Sequence, residues 1–182
     1  FKLGMIDLFE DYRISGGFRV AYDLDGFDYF ASFETLKKKF DHKFTFYRQS
    51  RSGGDPELVS YKSFSHELRY AMRIPFNPVM SLRLETFYRL DKEITRSTDV
   101  PTLEVPDKLT HWSGGKVEFV FDNTVPKGLN LWNGTRFKLF YEKFINLNQT
   151  SMQINVLGAD FRHYQKIHRQ IIFAGRFAAN TS

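Results

Sequence analysis

Cysteine is absent from the 182-residue chain. That removes disulfide frameworks, thiolate metal centres and cysteine nucleophiles, and it leaves the redox compartment open. Long apolar runs are missing too: stretches such as Ile171 to Gly175 fall far short of the roughly 18 residues a membrane helix needs. Helix signals are scarce, since the best candidate, Glu34 to Phe40, is short and has no second apolar turn. Nor is charge of one sign segregated. The chain carries 26 Lys plus Arg against 21 Asp plus Glu, a net +5, but bases and acids interleave, as in Glu67, Arg69, Arg73 and again in Arg83, Glu85, Arg89. Only Lys37 to Lys39 forms a basic run, which argues against a nucleic-acid partner. The chain starts at Phe1 without Met or a signal segment, so it reads as a mature product or an excised segment.

Phenylalanine is abundant instead: 20 Phe with 9 Tyr and 2 Trp bring aromatics to 17%, yet mean hydropathy is only −0.41. Rings and charges must therefore alternate. Leu68, Tyr70, Met72, Ile74 alternate with Glu67, Arg69, Ala71, Arg73, and Leu82, Leu84, Thr86, Tyr88, Leu90 alternate with Ser81, Arg83, Glu85, Phe87, Arg89. The same period of two recurs at Val117, Phe119, Phe121 against Lys116, Glu118, Asp122, and at Phe137, Leu139, Tyr141 against Arg136, Lys138, Glu142. Phe18 to Tyr22, Tyr29 to Leu36, Phe44 and Phe46, Ile154 and Val156, and Ile171 to Phe177 extend the pattern. This predicts eight strands, with one or two more, joined as antiparallel hairpins. Pro75 to Pro78 and Leu147 to Ser151 read as tight turns, while Gln49 to Ser65 and Glu93 to Thr110 read as long polar loops.

Alternation fits two architectures. A soluble sandwich or lipocalin-like ligand carrier turns its apolar face inward, whereas a membrane barrel turns it outward to lipid. Runs 80 to 92 and 134 to 146 reach the 9 to 11 residues, roughly, that cross a bilayer at a tilt near 45°. Opposite charges on the polar side suit a watery lumen, and Tyr29, Phe30, Tyr47, Phe64, Tyr88, Trp112, Trp132 and Tyr164 at strand ends suit an interfacial girdle. The expectation is an all-β, antiparallel up-and-down transmembrane β-barrel over residues 1–182, here a partial barrel of about 8 to 10 strands. Its lumen-facing charges are Glu67, Arg69, Arg73, Arg83, Glu85, Arg89, Lys116, Glu118, Lys138, Glu142, Asp160 and Arg176.

Catalytic chemistry finds no support. His42, His66, His111, His163 and His168 lack metal-ligand spacing, no Gly-rich phosphate loop or nucleophile elbow is present, and Asp122, Glu142 and Asp160 read as salt-bridge partners. No cofactor, metal or enzymatic activity is expected.

One stretch is more specific. Phe121-Asp122-Asn123-Thr124-Val125-Pro126-Lys127-Gly128 followed by Asn133-Gly134-Thr135-Arg136-Phe137 resembles a hairpin of BamA-type outer-membrane barrels, the bacterial surface antigen superfamily. The motif residues are Asp122, Asn123, Thr124, Pro126, Gly134, Thr135 and Arg136, with Pro126 expected to stop the ladder and Asn133-Gly134 to form a turn pair. Gly158 to Tyr164, with an acidic-basic-aromatic strand end, and Ile171 to Arg176, a small-residue strand, resemble the following hairpin of that barrel. Phe9 to Arg13, Gly16 to Arg19 and Leu36 to Asp41 resemble Bacteroidota members that carry a TolB-like propeller upstream. The Arg-Gly-Phe/Tyr loop motif of the family is absent, so the chain reads as part of a larger barrel. The resemblance implies a bacterial outer-membrane location, insertion or translocation of proteins there, and three kinds of partner: outer-membrane lipids, client β-barrel or secreted proteins, and lipoproteins. A passive pore or surface adhesin on the same barrel, and a soluble β-barrel ligand carrier, are the alternatives.

Overall fold

The computed structural model of the protein describes residues 1–20, 26–55, 59–96, 106–128, 131–149, 152–168 and 171–182. These form β1 (Lys2–Ile6), β2 (Tyr12–Val20), β3 (Phe27–Thr35), β4 (Asp41–Asp55), β5 (Val59–Asn77), β6 (Met80–Arg96), β7 (Lys108–Asp122), β8 (Val125–Gly128), β9 (Leu131–Asn146), β10 (Gln153–His168) and β11 (Ile171–Thr181). No helix occurs among the described residues. Each strand pairs antiparallel with its neighbour in chain order, except that β7 pairs with β9 and the short β8 pairs only with β9. β1 and β11 are the two edges, and the sheet is not closed into a barrel.

Strand identity follows from side-chain period. Ring-bearing and branched residues at every second position favour a pleated ribbon, and the register is fixed because a one-residue slip would exchange the charged and apolar faces. The result is a single layer without a conventional core: among the described residues Phe87 is the one buried hydrophobic side chain, 4% exposed. Most domains cover a sheet's apolar face with a second layer. Here that face carries Phe18, Phe33, Phe44, Leu68, Tyr88, Val117, Leu139, Phe161 and Phe177, all exposed.

Several expectations change. The sheet has eleven strands rather than eight to ten, because β1 and β8 are too short to display a period. The segment 49–65 is largely strand, with Gln49 paired to Ser65 and Arg51 to Ser63, and the two ends of 93–110 are strand as well, Glu93 pairing with Lys108; the middle of that expected loop, 97–105, lies outside the described residues. The Ser, Arg and Gly content of 49–65 hides the pairing, since a hairpin that is mostly polar on both sides has no apolar period. Tight turns at one end and long loops at the other are expected of an outer-membrane barrel, but β9 ends at the same end of the sheet as β4 and β6, so its short connection to β10 falls on the side expected to carry the long loops. Asp160 to Tyr164 is not a strand end, since β10 continues to His168.

Candidate functional site: two opposed faces

Register assigns every paired side chain to a face, because directly opposed residues share a side. One face carries an alternating charge ladder. Arg13 opposes Glu34, Glu34 opposes Lys43, Glu85 opposes Lys116 and Lys116 opposes Glu142, with Ala71 between Lys43 and Glu85. Glu67, Arg69, Arg73, Arg83, Glu85, Arg89, Lys116, Glu118, Lys138, Glu142, Asp160 and Arg176 all fall on this face. Arg69 bridges Glu67 and Glu85, each at 2.6 Å. Glu118 gathers Arg83 at 3.1 Å, Lys138 at 3.6 Å and Lys116 at 3.7 Å. Asp160 accepts from Arg162 at 3.0 Å and Arg176 at 2.9 Å, and Arg89 pairs with Asp91 at 3.0 Å.

The charged face is concave. A cavity of about 550 Å³ is lined by Arg13, Glu34, Lys43, Arg73, Arg83 and Glu118, which come from β2 through β7, so the sheet curls around it. Another, of about 600 Å³, is lined by Gln49, Arg51, Ser65, Asp91, Thr110 and Trp112. Among the well-covered residues, Ser32, Thr45, Ser81, Phe87, Glu118 and Asn146 lie on this face and Ser50 on the other.

Outward, the convex face is apolar, and its apolar band runs obliquely across the ladder. The register row that starts on Ile14, Phe33, Phe44 and Tyr70 ends on Lys143 and Asn155. The row through Met80, Phe121, Phe137, Phe161 and Phe177 is apolar throughout. On β2 the band spans Val20 to Ile14, on β6 Leu90 to Met80, and on β11 Ala179 to Phe173. It thus drifts by about one residue per strand, and a rise of roughly 3.3 Å against a strand spacing near 4.8 Å makes an inclination of roughly 35–40°. A flat slab of hydrocarbon cutting through strands tilted by about that angle would produce such a drift.

The hairpin motif is bound together physically. Asp122 Oδ1 accepts from the Thr124 amide at 3.1 Å and from its hydroxyl at 2.5 Å, and Arg136 Nη2 reaches Asp122 Oδ2 at 3.1 Å. The Thr135 amide donates to Asn123 Oδ1 at 2.7 Å, and Thr135 Oγ1 lies 2.8 Å from His163 Nδ1. Gly134 has φ +122°, and a Cβ there would stand 2.7 Å from the Asn123 carbonyl oxygen, so glycine is required. Two expectations about this stretch need correction. Pro126 does not stop the ladder but sits in β8 opposite Trp132, as a proline can in a short edge strand. Asn133-Gly134 is not a turn but lies within β9, where the positive φ accommodates the crossing to β8.

The aromatic girdle is also revised: Phe30, Tyr47, Trp112 and Tyr164 lie on the charged face. They cannot line an outer rim. Other residues of the concave face escaped the sequence reading. Arg162 lies in the part of β10 read as a strand end. Gly114 and Gly158 form sockets for rings opposite them: a Cβ on Gly114 would stand 2.7 Å from the Phe87 ring, and one on Gly158 would enter the ring of Phe140. The available signal was a glycine in a charged-face position facing a phenylalanine.

Chemically, the arrangement offers paired charges on one face and exposed apolar side chains on the other. Among the described residues no three His, Cys, Asp or Glu side chains gather to hold a metal. No family model matches the chain, and no curated protein is significantly similar to it.

Proposed function

We propose that the chain is wall of a transmembrane β-barrel in a bacterial outer membrane, in a protein of the BamA type that inserts or translocates other proteins there. The observation that carries the barrel part is the inversion of the two faces: charged residues line the concave side, and phenylalanines and leucines cover the convex side. A soluble carrier built from a curled sheet would keep its apolar rings on the concave side around a ligand. Exposed apolar surface of this extent calls for a covering partner, and the oblique band matches a bilayer better than a flat protein surface. Backbone pairing on both sides of each strand from β2 to β10 along the sheet path supports the reading, since hydrocarbon leaves no water to satisfy such groups.

The insertion part rests on the hairpin residues Asp122 to Arg136 that resemble the family. Its mechanism needs no bond-making step. A sheet edge offers unpaired N–H and C=O groups to a client strand, which adds by β-augmentation. Depleting the protein in the cell that makes it and measuring the folded fraction of other outer-membrane proteins tests the assignment. The expected result is a fall in that fraction. Unchanged folding with altered solute uptake would replace insertion by a passive pore.

A further inference from the structure

Charge alternates from strand to strand over much of the concave face, and two places break the rule: Arg73 opposes Arg83 across β5 and β6, and a longer row of arginines lies toward the β11 edge. Arg136 on β9, Arg162 on β10 and Arg176 on β11 directly oppose one another in register. Like charges placed opposite one another across strands are destabilising, and the local carboxylates do not balance them. Asp160 is shared by Arg162 and Arg176, Asp122 meets Arg136, and Lys138 has only a third share in Glu118. Six cationic side chains, with Arg83 and Lys116 included, lean on three carboxylates. Beside four of them lies a cavity of about 190 Å³ lined by Arg83, Arg136, Lys138 and Arg162 together with the carboxylates Glu118 and Asp160.

We propose that this cluster on the concave face is a binding site for a small phosphate-bearing anion, held by Arg136, Lys138 and Arg162. Guanidinium forks match phosphate oxygens bidentately, and Lys138 adds a point charge beside them. The cavity has room for about six waters' worth of volume, which suits a phosphate or diphosphate group. The inference concerns the charged face and stands apart from what covers the apolar one.

Inorganic pyrophosphate titrated calorimetrically into the full chain, in phosphatidylcholine bilayers at low ionic strength, tests it. Saturable binding is expected, weakened about tenfold or more by Arg162→Gln and by Lys138→Gln. Lys138→Gln leaves Asp160 and both its arginines intact, which guards against a folding defect in the other variant. Arg13→Gln, in the alternating part of the ladder, should leave binding unchanged. No saturable binding up to about 10 mM would overturn the proposal, and so would equal weakening by Arg13→Gln, which would mean a diffuse field. Repeating the titration in phosphatidylglycerol bilayers separates the sources: affinity reduced there means that lipid headgroups occupy the site, and unchanged affinity means a soluble anion. Pyrophosphate binding by a protein that stays monodisperse without detergent would overturn the barrel reading and leave this site standing.

Discussion

Leu84→Arg places a charge near the centre of the convex band. From Met80 to Leu90 the apolar side of β6 runs about 33 Å along the strand at roughly 3.3 Å per residue. Tilted near 40°, that becomes a height of about 25 Å, the usual height of the apolar belt on outer-membrane barrels. On the same scale Leu84 lies about 10 Å from the Met80 edge and about 15 Å from the Leu90 edge. Burying Arg there should cost about 2–4 kcal/mol of unfolding free energy, against about 0–1 kcal/mol for Leu90→Arg at the rim. Arg83→Leu, one position away on the concave face, removes the 3.1 Å contact to Glu118 but leaves Lys116 and Lys138 beside that carboxylate. Its cost should be about 1 kcal/mol or less. Reversible denaturant unfolding of the three variants in lipid or micelles gives the values. If Leu84→Arg lies within about 0.5 kcal/mol of the parent protein, as surface substitutions in water do, or if Arg83→Leu costs more, the faces are misassigned.

Three further outcomes follow from the geometry. Gly158→Ala should cost about 1–3 kcal/mol in the same unfolding assay, because its Cβ meets the Phe140 ring, and adding Phe140→Leu should recover part of that loss. Glu118→Gln withdraws the carboxylate shared by Arg83, Lys116 and Lys138; it should destabilise by about 1–3 kcal/mol at low salt and by less at high salt, where repulsion is screened. Removing detergent should aggregate the protein in size-exclusion chromatography, since the exposed rings have no cover; a monodisperse peak would contradict the membrane reading.

Alternation made the long central strands readable from residues alone. Leu82, Leu84 and Tyr88 against Arg83, Glu85 and Arg89 assign β6, its faces and its partners β5 and β7 without coordinates. Legibility failed where one face gave no contrast. In Gln49–Gly53 and Tyr61–Ser65, Ser, Arg, Gly and Lys leave only Tyr61 and Phe64 as rings, on opposite faces, so no apolar period forms and strand reads as loop. In β10, Gly158, Ala159 and Asp160 interrupt the apolar set although the ladder runs through them. Periodicity predicts which residues share a face but is silent on which face is concave, because curvature depends on how strands from β2 to β7 curl together around Glu34, Arg73 and Glu118. The glycine sockets and the triple-arginine row were equally hidden, since both exist only once the register between strands is known.

Because the chain has no cysteine, each single-cysteine variant carries one nitroxide label and nothing else reacts. Accessibility of the label to oxygen and to a water-soluble nickel complex, measured in bilayers at successive positions from Arg136 to Tyr141, reads out the two faces directly. Oxygen should dominate at Phe137, Leu139 and Tyr141, the nickel complex should dominate at Arg136 and Lys138, and the two should alternate out of phase. Equal nickel access at both sets, or the opposite phase, would mean that the convex face meets water and would contradict the account.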